Sequence, residues 1–361
     1  MVQAPIIYWD DFGFRESCSG ISRYIGSLDP CLRQIGVRPQ WVRASEGLVG
    51  RILGSPGVPG RKLLWPQWSL GRVRSGRSLL PFIWHGLANF NLPLFHKPRG
   101  ARFVLTLHDL IPLLPNNGMS WASCQQFRLA LPRALRAADR ILCVSPWTKS
   151  TLLERFPFTS EKTILIPNGA SKWQGPSSGR VAGGTRSRQL LYVARHEPYK
   201  QLDLVPRILK YLPGDVIWTI VTDQRGRSFL DQEGRDEAGA GRLKVLTGIS
   251  DSYIQSLYRK TDAYIHLSQY EGFGLPVWEA LAAGAPVVYQ SGHALDELSG
   301  LPGALGLAPN TKPAEWADAV TSLTESGNQG LWESSVRDFL DQRPGWESAA
   351  RKLRSVYNSL V

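Results

Sequence analysis

The sequence predicts an α/β protein built from two Rossmann-like domains, and three features of its 361 residues indicate this. Apolar runs of strand length alternate with helix-length segments, as in parallel sheets whose strands are joined by helices. These runs form two series, separated by a stretch rich in serine and glycine at 171–187. The length suits two domains of ordinary size. We therefore expect a first domain at 1–170, a linker at 171–187 and a second domain at 188–342.

Composition narrows the class of protein. With 43% hydrophobic and 20% charged residues, the chain has the balance of a folded globular protein. No apolar run approaches the roughly 20 residues that cross a bilayer as a helix, and the N-terminus shows no signal-peptide pattern. The four cysteines are scattered, without the spacing of a metal site or a disulfide framework. We therefore expect a cytoplasmic protein in a reducing compartment.

The net charge of +12 is concentrated in the N-terminal half. No acidic residue stands between Glu46 and Asp109, whereas basic residues there are interleaved with Leu, Trp and Phe. They are Arg51, Arg61, Lys62, Arg72, Arg74, Arg77, Lys97, Arg99 and Arg102. This mixture favours an anionic membrane surface, which would place the protein peripherally on the inner face of the membrane. A solvated basic face is the alternative, and nucleic-acid binding is disfavoured because no such motif accompanies the charge.

The first series begins with a strand at residues 5–10 and a helix opening at 19–25. Gly20 at this strand-to-helix turn would let a ligand approach the backbone closely. Ser19 would equally serve as an ordinary helix N-cap, and we leave both interpretations open. Residues 47–78 lack clear periodicity and predict a long loop around one short helix at most.

A buried strand is predicted at 101–107, and two polar residues follow it directly. His108 and Asp109 stand at its carboxyl end, where side chains of an open parallel sheet face the ligand crevice. A single histidine is often structural, but this position beside a carboxylate favours a functional role. A helix at 120–137 and strands at 140–144 and 163–166 complete this half.

The second series begins with a strand at 189–194. Arg195 and Lys200 flank a proline turn at its carboxyl end. Two cations there can neutralise a diphosphate, and ordinary surface charge is the alternative. Further strands are predicted at 215–222, 243–248, 263–267 and 286–290, with helices ending at Lys260 and spanning 313–326, 330–341 and 346–360.

Residues 268–288 are the most informative stretch and predict a glycine-rich turn, a short helix and a strand. Pro276 suits the first turn of that helix, and Gly284 suits its end. Backbone N–H groups of such a turn form an anion site at the sheet edge. Glu271 and Glu279 lie on either side of the helix start. Because carboxylates repel phosphate, we expect both to bind hydroxyl groups of a ligand.

This stretch resembles the retaining glycosyltransferases of family 4, also called glycosyl transferases group 1. Glu271 and Glu279 have the spacing of the family's E-x7-E element, within the strings E-G-F-G-L-P and G-x-P-V-V. The resemblance extends over nearly the whole chain and is weakest at 30–80. It implies the GT-B fold, in which two Rossmann-like domains face a cleft. It also implies that residues 343–361 cross back and pack onto the first domain.

The resemblance implies a hexosyltransferase that uses a nucleotide sugar and needs no metal or other cofactor. The implied catalytic residues are Glu271, His108 and Asp109, and the implied donor-binding residues are Arg195, Lys200, Glu279, Gly272, Phe273, Gly274, Leu275, Ile249 and Gly20. Arg195, Lys200 and the amides of 273–275 would stabilise the departing diphosphate. Glu279 would hold the ribose hydroxyls and Glu271 the transferred sugar, which His108 would face from the opposite wall. Serines at two glycine positions near Gly20, and Thr222 to Gln224 in place of glycines, depart from the family pattern.

The string His-Asp-Leu-Ile-Pro at 108–112 resembles mannosyltransferases of polysaccharide assembly. GDP-mannose is therefore the expected donor, and a glycan or lipid-linked molecule of cell-surface polysaccharide or lipopolysaccharide synthesis is the expected acceptor. Two other functions remain open. A nucleotide-sugar epimerase on a similar fold would turn over without an acceptor. A non-catalytic glycan- or membrane-binding protein would bind an acceptor without donor turnover, although the intact set of charged site residues argues against it.

Overall fold

The computed structural model describes residues 6–10, 20–42, 61–76, 81–115, 117–172, 174, 187–236, 240–324 and 332–361. The chain divides into two compact units. The first comprises Met1–Asn116, Ser120–Gly169 and Pro344–Val361, and the second comprises Asn117–Met119 and Ala170–Arg343. The predicted linker at 171–187 lies almost wholly outside the described residues, so it stays a prediction. No helix among the described residues is both long enough and apolar enough to cross a membrane.

The first unit contains a parallel sheet of six strands in the order β2-β1-β3-β4-β5-β6. The strands are β1 (Ile6–Asp10), β2 (Gln40–Val42), β3 (Phe82–Gly86), β4 (Ala101–Leu107), β5 (Arg140–Cys143) and β6 (Thr163–Leu165). Its helices are Gly20–Gln34, Arg61–Gly76, Trp121–Ala137, Pro146–Arg155 and Trp346–Asn358. All residues of β4 except Arg102 are buried, as expected for a central parallel strand covered on both faces.

The C-terminal helix Trp346–Asn358 belongs to the first unit and packs against the helix Gly20–Gln34. Its inner face buries Ala350, Leu353 and Tyr357. A Cβ atom at Gly169 would overlap the backbone nitrogen of Trp346, so the helix start sits directly on this glycine. The helix is therefore an integral part of the N-terminal unit.

The long loop predicted at 47–78 is wrong over its second half. Arg61–Gly76 forms a helix of 16 residues, which is anchored by the buried Trp65 and Leu70. Two features hid this helix from sequence analysis. Pro66 lies within it, and its apolar residues show no clear period along the sequence. Residues 47–60, 77 and 78 lie outside the described residues.

The second unit contains another parallel sheet of six strands, in the order β12-β11-β10-β7-β8-β9. The strands are β7 (Arg188–Val193), β8 (Val216–Val221), β9 (Leu243–Leu246), β10 (Ala263–His266), β11 (Val287–Gln290) and β12 (Ala304–Leu307). Its helices are Leu204–Leu209, Gln224–Glu233, Asp251–Lys260, Leu275–Ala282, Pro313–Thr324 and Glu333–Gln342. Each unit is thus a parallel sheet with interleaved helices, which confirms the predicted α/β, Rossmann-like class.

Candidate functional site

The order of strands in the second sheet determines where its site lies. β7 and β10 are hydrogen-bonded neighbours, although two strands separate them along the chain. The direction in which the sheet grows reverses between them, and the carboxyl ends of strands at such a switch point form a ligand crevice. The chain leaves β7 towards Arg195 and Lys200, and it leaves β10 towards Glu271. The sheet thereby brings together residues predicted separately from the sequence.

Glu271 is the centre of this group. Its Oε1 atom accepts a hydrogen bond from Lys200 Nζ at 2.5 Å and lies 2.9 Å from His266 Nε2. Only 12% of the Glu271 side chain and 17% of the Lys200 side chain are exposed. Burial alone would raise the pKa of Glu271, but the Lys200 charge and the His266 hydrogen bond outweigh burial and hold the pKa well below its usual value. The carboxylate is therefore ionised at neutral pH.

Lys200 is positioned by its own turn as well as by Glu271. It ends the short 3₁₀ turn Pro198–Lys200, and the Tyr192 hydroxyl on β7 donates to its backbone carbonyl at 2.7 Å. Its ammonium group also lies over the Tyr199 ring, 5.1 Å from the ring centroid. An ammonium group has three donors, so the ion pair with Glu271 leaves donors for an anionic ligand.

The turn after Glu271 is fixed by packing. Gly274 has a φ of +80°, and a Cβ atom there would overlap the Leu295 side chain, so glycine is required twice over. Phe273 stacks on Trp278 at 5.4 Å, and Trp278 Nε1 donates to the Phe273 carbonyl at 3.1 Å. The turn thus holds the N-terminus of the helix Leu275–Ala282 at the sheet edge, where its dipole favours an anion.

Arg195 contacts a different carboxylate from Lys200. Its Nε atom lies 3.9 Å from Asp223 Oδ2, and 40% of its side chain is exposed. Asp223 also caps the helix Gln224–Glu233 by accepting a hydrogen bond from Gly226 N at 2.9 Å. The family glycines that are missing at this strand end are therefore replaced by a helix cap. Shared binding of one diphosphate by Arg195 and Lys200 stays a prediction.

The remaining predicted donor-binding residues occupy loop or helix-start positions. Glu279 is half-buried within the helix Leu275–Ala282, and Gly272 is buried in the preceding turn. Ile249 is half-buried beside Gly248, whose φ is +65°. Gly20 is the exposed first residue of its helix, while Ser19 lies outside the described residues. Their contacts with a nucleotide stay predictions.

In the first unit, His108 follows β4 and is held by backbone groups. Its Nε2 atom lies 2.8 Å from the Leu87 carbonyl, which can only accept, so Nε2 carries the hydrogen. Burial lowers the pKa of His108 to about 4, although the Leu87 hydrogen bond opposes this. The imidazole is therefore neutral, with Nδ1 as an acceptor. Asp109 Oδ1 accepts from Ile111 N at 3.1 Å, which gives Asp109 a turn-capping role; its predicted catalytic role stays a prediction.

A chain of buried hydrogen bonds lies behind His108. Trp9 Nε1 donates to the Tyr357 hydroxyl at 3.0 Å, and this hydroxyl lies 2.6 Å from His85 Nδ1. His85 Nε2 lies 2.8 Å from Thr106 Oγ1, which lies 3.3 Å from the Tyr24 hydroxyl. Since the indole can only donate, the Tyr357 hydroxyl accepts from Trp9. The hydroxyl hydrogen is satisfied when it is donated to His85 Nδ1, and His85 then donates from Nε2. This chain links the C-terminal helix to β1, β3 and β4.

The same chain reaches His108 through ring packing. The Tyr24 ring meets the His108 ring edge to face, with centroids 4.9 Å apart, and Trp346 packs on Tyr24 at 5.9 Å. Burial lowers the pKa of His85 to about 3, with a further contribution from His108, and burial raises the pKa of Tyr24 to about 12. All members of this chain are therefore uncharged near neutral pH.

His85 and His266 are parts of these groups that the sequence alone does not single out. His266 is the last residue of β10, and a polar residue at a strand end is the same signal that identified His108. The sequence around His85 gives a weaker indication of its role, because that role depends on Tyr357 in the distant C-terminal helix. His293 after β11 is also buried, with Nε2 3.2 Å from the Ser268 carbonyl.

Comparisons with known proteins identify the family. Residues 181–331 match Glycosyl transferases group 1, and residues 19–172 match Glycosyltransferase Family 4. O-antigen chain mannosyltransferase B of Escherichia coli is 26% identical over 328 residues, which cover 83% of this chain and 79% of that protein. O-antigen chain mannosyltransferase RfbU of Salmonella typhimurium is 24% identical over 261 residues, covering 68% of this chain and 72% of that protein.

Solved structures show the same fold over the full length. Sucrose-phosphate synthase from Thermosynechococcus elongatus superposes with a TM-score of 0.76 at 18% identity, covering 99% of both chains. WaaG, a glycosyltransferase involved in lipopolysaccharide biosynthesis, has a TM-score of 0.70 at 14% identity, covering 98% of this chain and 99% of WaaG. The two family matches fall on the two units described above. Together these matches span most of the chain. The chain therefore belongs to the family 4 glycosyltransferases, also called glycosyl transferases group 1, has the GT-B fold and is a hexosyltransferase.

Proposed function

We propose that the protein transfers a hexose, with mannose as the first choice, from a nucleotide sugar to a glycan or lipid-linked acceptor of cell-surface polysaccharide synthesis. The observation that carries this proposal is the buried Lys200–Glu271–His266 group at the switch point of the second sheet. Mannose is supported by two relatives that are O-antigen mannosyltransferases. UDP-glucose is the competing donor, since a structural neighbour, HepE of Anabaena, was solved with UDP-glucose.

The charges of the site suit the departure of a diphosphate. The free donors of Lys200, the Arg195 guanidinium and the N-terminus of the helix Leu275–Ala282 are all sources of positive potential. Stabilising the charge that develops on the leaving group is the largest contribution such a site can make. The transfer needs no metal in this proposal, because these groups supply the positive charge. Unchanged turnover in EDTA is the expected result, and loss of turnover that Mg²⁺ or Mn²⁺ restores would contradict it.

Glu271 suits the hydroxyl groups of the transferred sugar. An ionised carboxylate can only accept hydrogen bonds, and hydroxyl groups can donate to it. Glu279 would accept from the ribose hydroxyls of the donor. We assign no covalent nucleophile and propose displacement on one face of the sugar, which retains the anomeric configuration. In the first unit, His108 offers a neutral Nδ1 acceptor, and its contact with the sugar is part of the same proposal.

A thermal-shift panel of nucleotide sugars and nucleoside diphosphates tests the donor. A ligand at ~100 times its Kd stabilises a protein by roughly 2.7 kcal/mol, which is easily detected. We expect selective stabilisation by GDP and GDP-mannose. Selective stabilisation by UDP and a UDP sugar would identify a UDP sugar as the donor in place of GDP-mannose, and the proposed transfer reaction would stand. Stabilisation by none of them would contradict the proposal.

Product analysis separates transfer from the alternatives. A transferase releases a nucleoside diphosphate in proportion to the acceptor glycosylated, and the sugar keeps its configuration. An epimerase would release an altered nucleotide sugar without any acceptor. A non-catalytic binding protein would be retained on an immobilised glycan acceptor and would leave the nucleotide sugar unchanged over hours.

We also propose that the first unit docks onto an anionic membrane surface. The helix Trp121–Ala137 contains no acidic residue, and 76% of Trp121 and 61% of Leu129 are exposed. Arg128, Arg133 and Arg136 are exposed on the same helix. Exposed aromatic and basic side chains on one helix suit an anionic bilayer interface.

Sedimentation with vesicles tests this docking. We expect binding to vesicles that contain phosphatidylglycerol, little binding to pure phosphatidylcholine, and weaker binding at high salt. A triple variant with glutamine at Arg128, Arg133 and Arg136 should lose most of the binding. A second triple variant at Arg72, Arg74 and Arg77, whose side chains lie outside the described part, tests the predicted basic region. Unchanged binding of both variants would exclude these arginines as the docking residues, and no vesicle binding by the unsubstituted protein would leave only a solvated basic face.

A further inference from the structure

His266 occupies an unusual place for a histidine. It is the last residue of β10, a central strand whose four residues are all buried, and its own exposure is 0%. A polar side chain in such a place costs free energy unless its nitrogen atoms are hydrogen-bonded. Both ring nitrogens have partners, because Nε2 lies 2.9 Å from Glu271 Oε1 and Nδ1 lies 3.3 Å from the Tyr264 hydroxyl.

These partners determine which nitrogen carries the hydrogen. The Glu271 carboxylate can only accept, so Nε2 must donate. Nδ1 of the neutral ring is then an acceptor, and it shares the Tyr264 hydroxyl with the Val193 carbonyl, which lies 3.4 Å from that hydroxyl. Burial lowers the pKa of His266 although Glu271 opposes this, so the ring is neutral and has a single N–H group. That N–H group is directed at Glu271. The imidazole therefore acts as an oriented hydrogen-bond donor built into the strand.

Two donors meet on one oxygen of Glu271, and they differ in their mobility. Lys200 reaches Oε1 through a flexible side chain from the turn after β7, and the proposed function also requires it to contact a phosphate. His266 reaches the same atom from the strand itself. Its ring stacks on the Tyr264 ring, with centroids 5.9 Å apart, and meets the Tyr192 ring edge to face at 5.7 Å. Of these two donors, His266 is therefore the one whose position is fixed by a buried strand and by ring packing.

We propose that His266 is a positioning residue that holds the carboxylate of Glu271 in place, through its Nε2–H group, for the hydroxyl groups of the transferred sugar. This inference rests on the proposed function. It adds His266, which is not among the site residues predicted from the sequence. His266 itself touches no substrate in this account. When Lys200 turns from Glu271 to the diphosphate, the hydrogen bond from His266 still holds the carboxylate in position.

Substitution of His266 by phenylalanine and by glutamine tests this role. Phenylalanine keeps a planar ring but removes the donor, and a carboxylate displaced by about 1 Å can cost on the order of 10²-fold in rate. We expect His266→Phe to lower kcat by about that factor. We expect nucleoside diphosphate affinity to change less than about threefold, because Lys200 is retained. His266→Gln keeps an N–H donor at the ε position and should recover most of the lost kcat.

The pH profile gives a readout that a merely structural role would not move. The groups that face Glu271 are Lys200 after β7, Tyr192 on β7, His266 on β10 and His293 after β11. Loss of the His266 hydrogen bond raises the pKa of Glu271, so the acidic limb of kcat should move to higher pH in His266→Phe. In His266→Gln the limb should stay near that of the unsubstituted protein.

His293→Gln is the matched control, because this histidine is equally buried but bonds to the Ser268 carbonyl and not to Glu271. It should lower the Tm without moving the acidic limb. Equal loss of kcat in both His266 variants, in proportion to the loss of Tm and matched by His293→Gln, would overturn the proposal. So would an unchanged kcat in a folded His266→Phe.

Failure of the proposed function gives a different result. If the unsubstituted protein turns over no nucleotide sugar, the glycosyl-transfer proposal fails and the rate measurements with it. The position of Glu271 is then tested by ¹³C-carboxyl NMR, with Glu271→Gln identifying its signal. A higher titration midpoint for Glu271 in His266→Phe, reversed in His266→Gln, supports the contact. An unchanged midpoint overturns it whether or not the protein is active.

Discussion

Each of the two units has a buried histidine-centred group at its sheet, and the two groups differ in charge. In the first unit, Tyr357, His85 and Thr106 form an uncharged chain of hydrogen bonds. In the second, Glu271 and Lys200 form an ion pair to which a neutral histidine is attached. Both groups join segments that are distant along the chain. Only the second contains charge that a ligand could compete for.

This difference indicates a division of roles. A fully hydrogen-bonded neutral network adds rigidity and selects one packing, without the large desolvation cost of a buried charge. A buried ion pair often adds little net stability, and removing one partner leaves a costly unpaired charge. The uncharged chain is therefore suited to fixing the C-terminal helix on the first sheet. The ion pair is better explained by chemistry than by stability.

Removing the carboxylate should produce the largest effect. Glu271→Ala removes the acceptor for sugar hydroxyls, and we expect turnover to fall by on the order of 10²- to 10³-fold. Turnover is measured as release of nucleoside diphosphate in the presence of acceptor. Glu297→Ala is the control, because it breaks the ion pair with Arg343 in the same unit, 2.6 Å long, at a site with no proposed ligand. Near-normal turnover of Glu271→Ala would remove this residue from the mechanism.

Removing the cation should separate binding from stability. Lys200→Ala leaves the Glu271 carboxylate mostly buried without its ion-pair partner, and breaking such a pair costs about 3 kcal/mol. We expect nucleoside diphosphate affinity to fall at least tenfold, as measured by calorimetry. Lys210→Ala, on the exposed end of a helix in the same unit, is the control.

The double variant Lys200→Ala with Glu271→Gln completes this test. Neutralising the carboxylate removes the unpaired charge, so stability should largely return while diphosphate affinity stays low. Unchanged affinity in Lys200→Ala would exclude its assigned role. Failure of the second substitution to restore stability would mean that the lysine contributes through packing and not through charge.

The sequence predicted strands more accurately than contacts. The strand predicted at 101–107 coincides with β4, because a central parallel strand buried on both faces is a continuous apolar run. The sequence does not indicate the full helix Arg61–Gly76, because its apolar residues show no clear period and a proline lies inside it. A pattern of residues reports burial well only where burial is extensive and periodic.

The same limit applies to the site. Glu271 and Lys200 could each be identified from a strand end, but their contact depends on β7 and β10 being neighbours in the sheet. Strand order is set by long-range packing and has no local signature. The His85–Tyr357 contact joins residues 272 positions apart, so no local pattern could indicate it.

Breaking the uncharged chain should affect stability and leave the chemistry largely intact. Tyr357→Phe removes the hydroxyl between Trp9 and His85 and leaves a buried N–H group and a buried acceptor without that partner. Such a loss costs about 1–3 kcal/mol, which urea unfolding measures. Tyr253→Phe, at an exposed tyrosine, is the control. A loss of stability below about 0.5 kcal/mol would mean that the chain adjusts around the missing hydroxyl.

The pH dependence of the free energy of unfolding tests whether His85 is neutral in the folded protein. The expected change extends over several pH units. Burial holds its pKa at about 3 in the folded protein, whereas an unfolded histidine has a pKa of about 6.5. Between these values the unfolded state binds the extra proton, so stability is complete above pH ~6.5 and falls as the pH is lowered. Each pH unit in this window costs about 1.4 kcal/mol for one such histidine.

His85→Gln should therefore be less stable than the unsubstituted protein at pH 7.5, and its stability should fall less steeply between pH 6.5 and 4.5. Urea unfolding at several pH values measures both slopes, and His96→Gln controls for the loss of an exposed histidine from the same unit. Equal slopes in the His85 variant and the unsubstituted protein would mean that the pKa of His85 is the same in the folded and unfolded states. The first group would then gain a positive charge below pH ~6.5 within the fold, and the contrast between the two units would hold only above that pH.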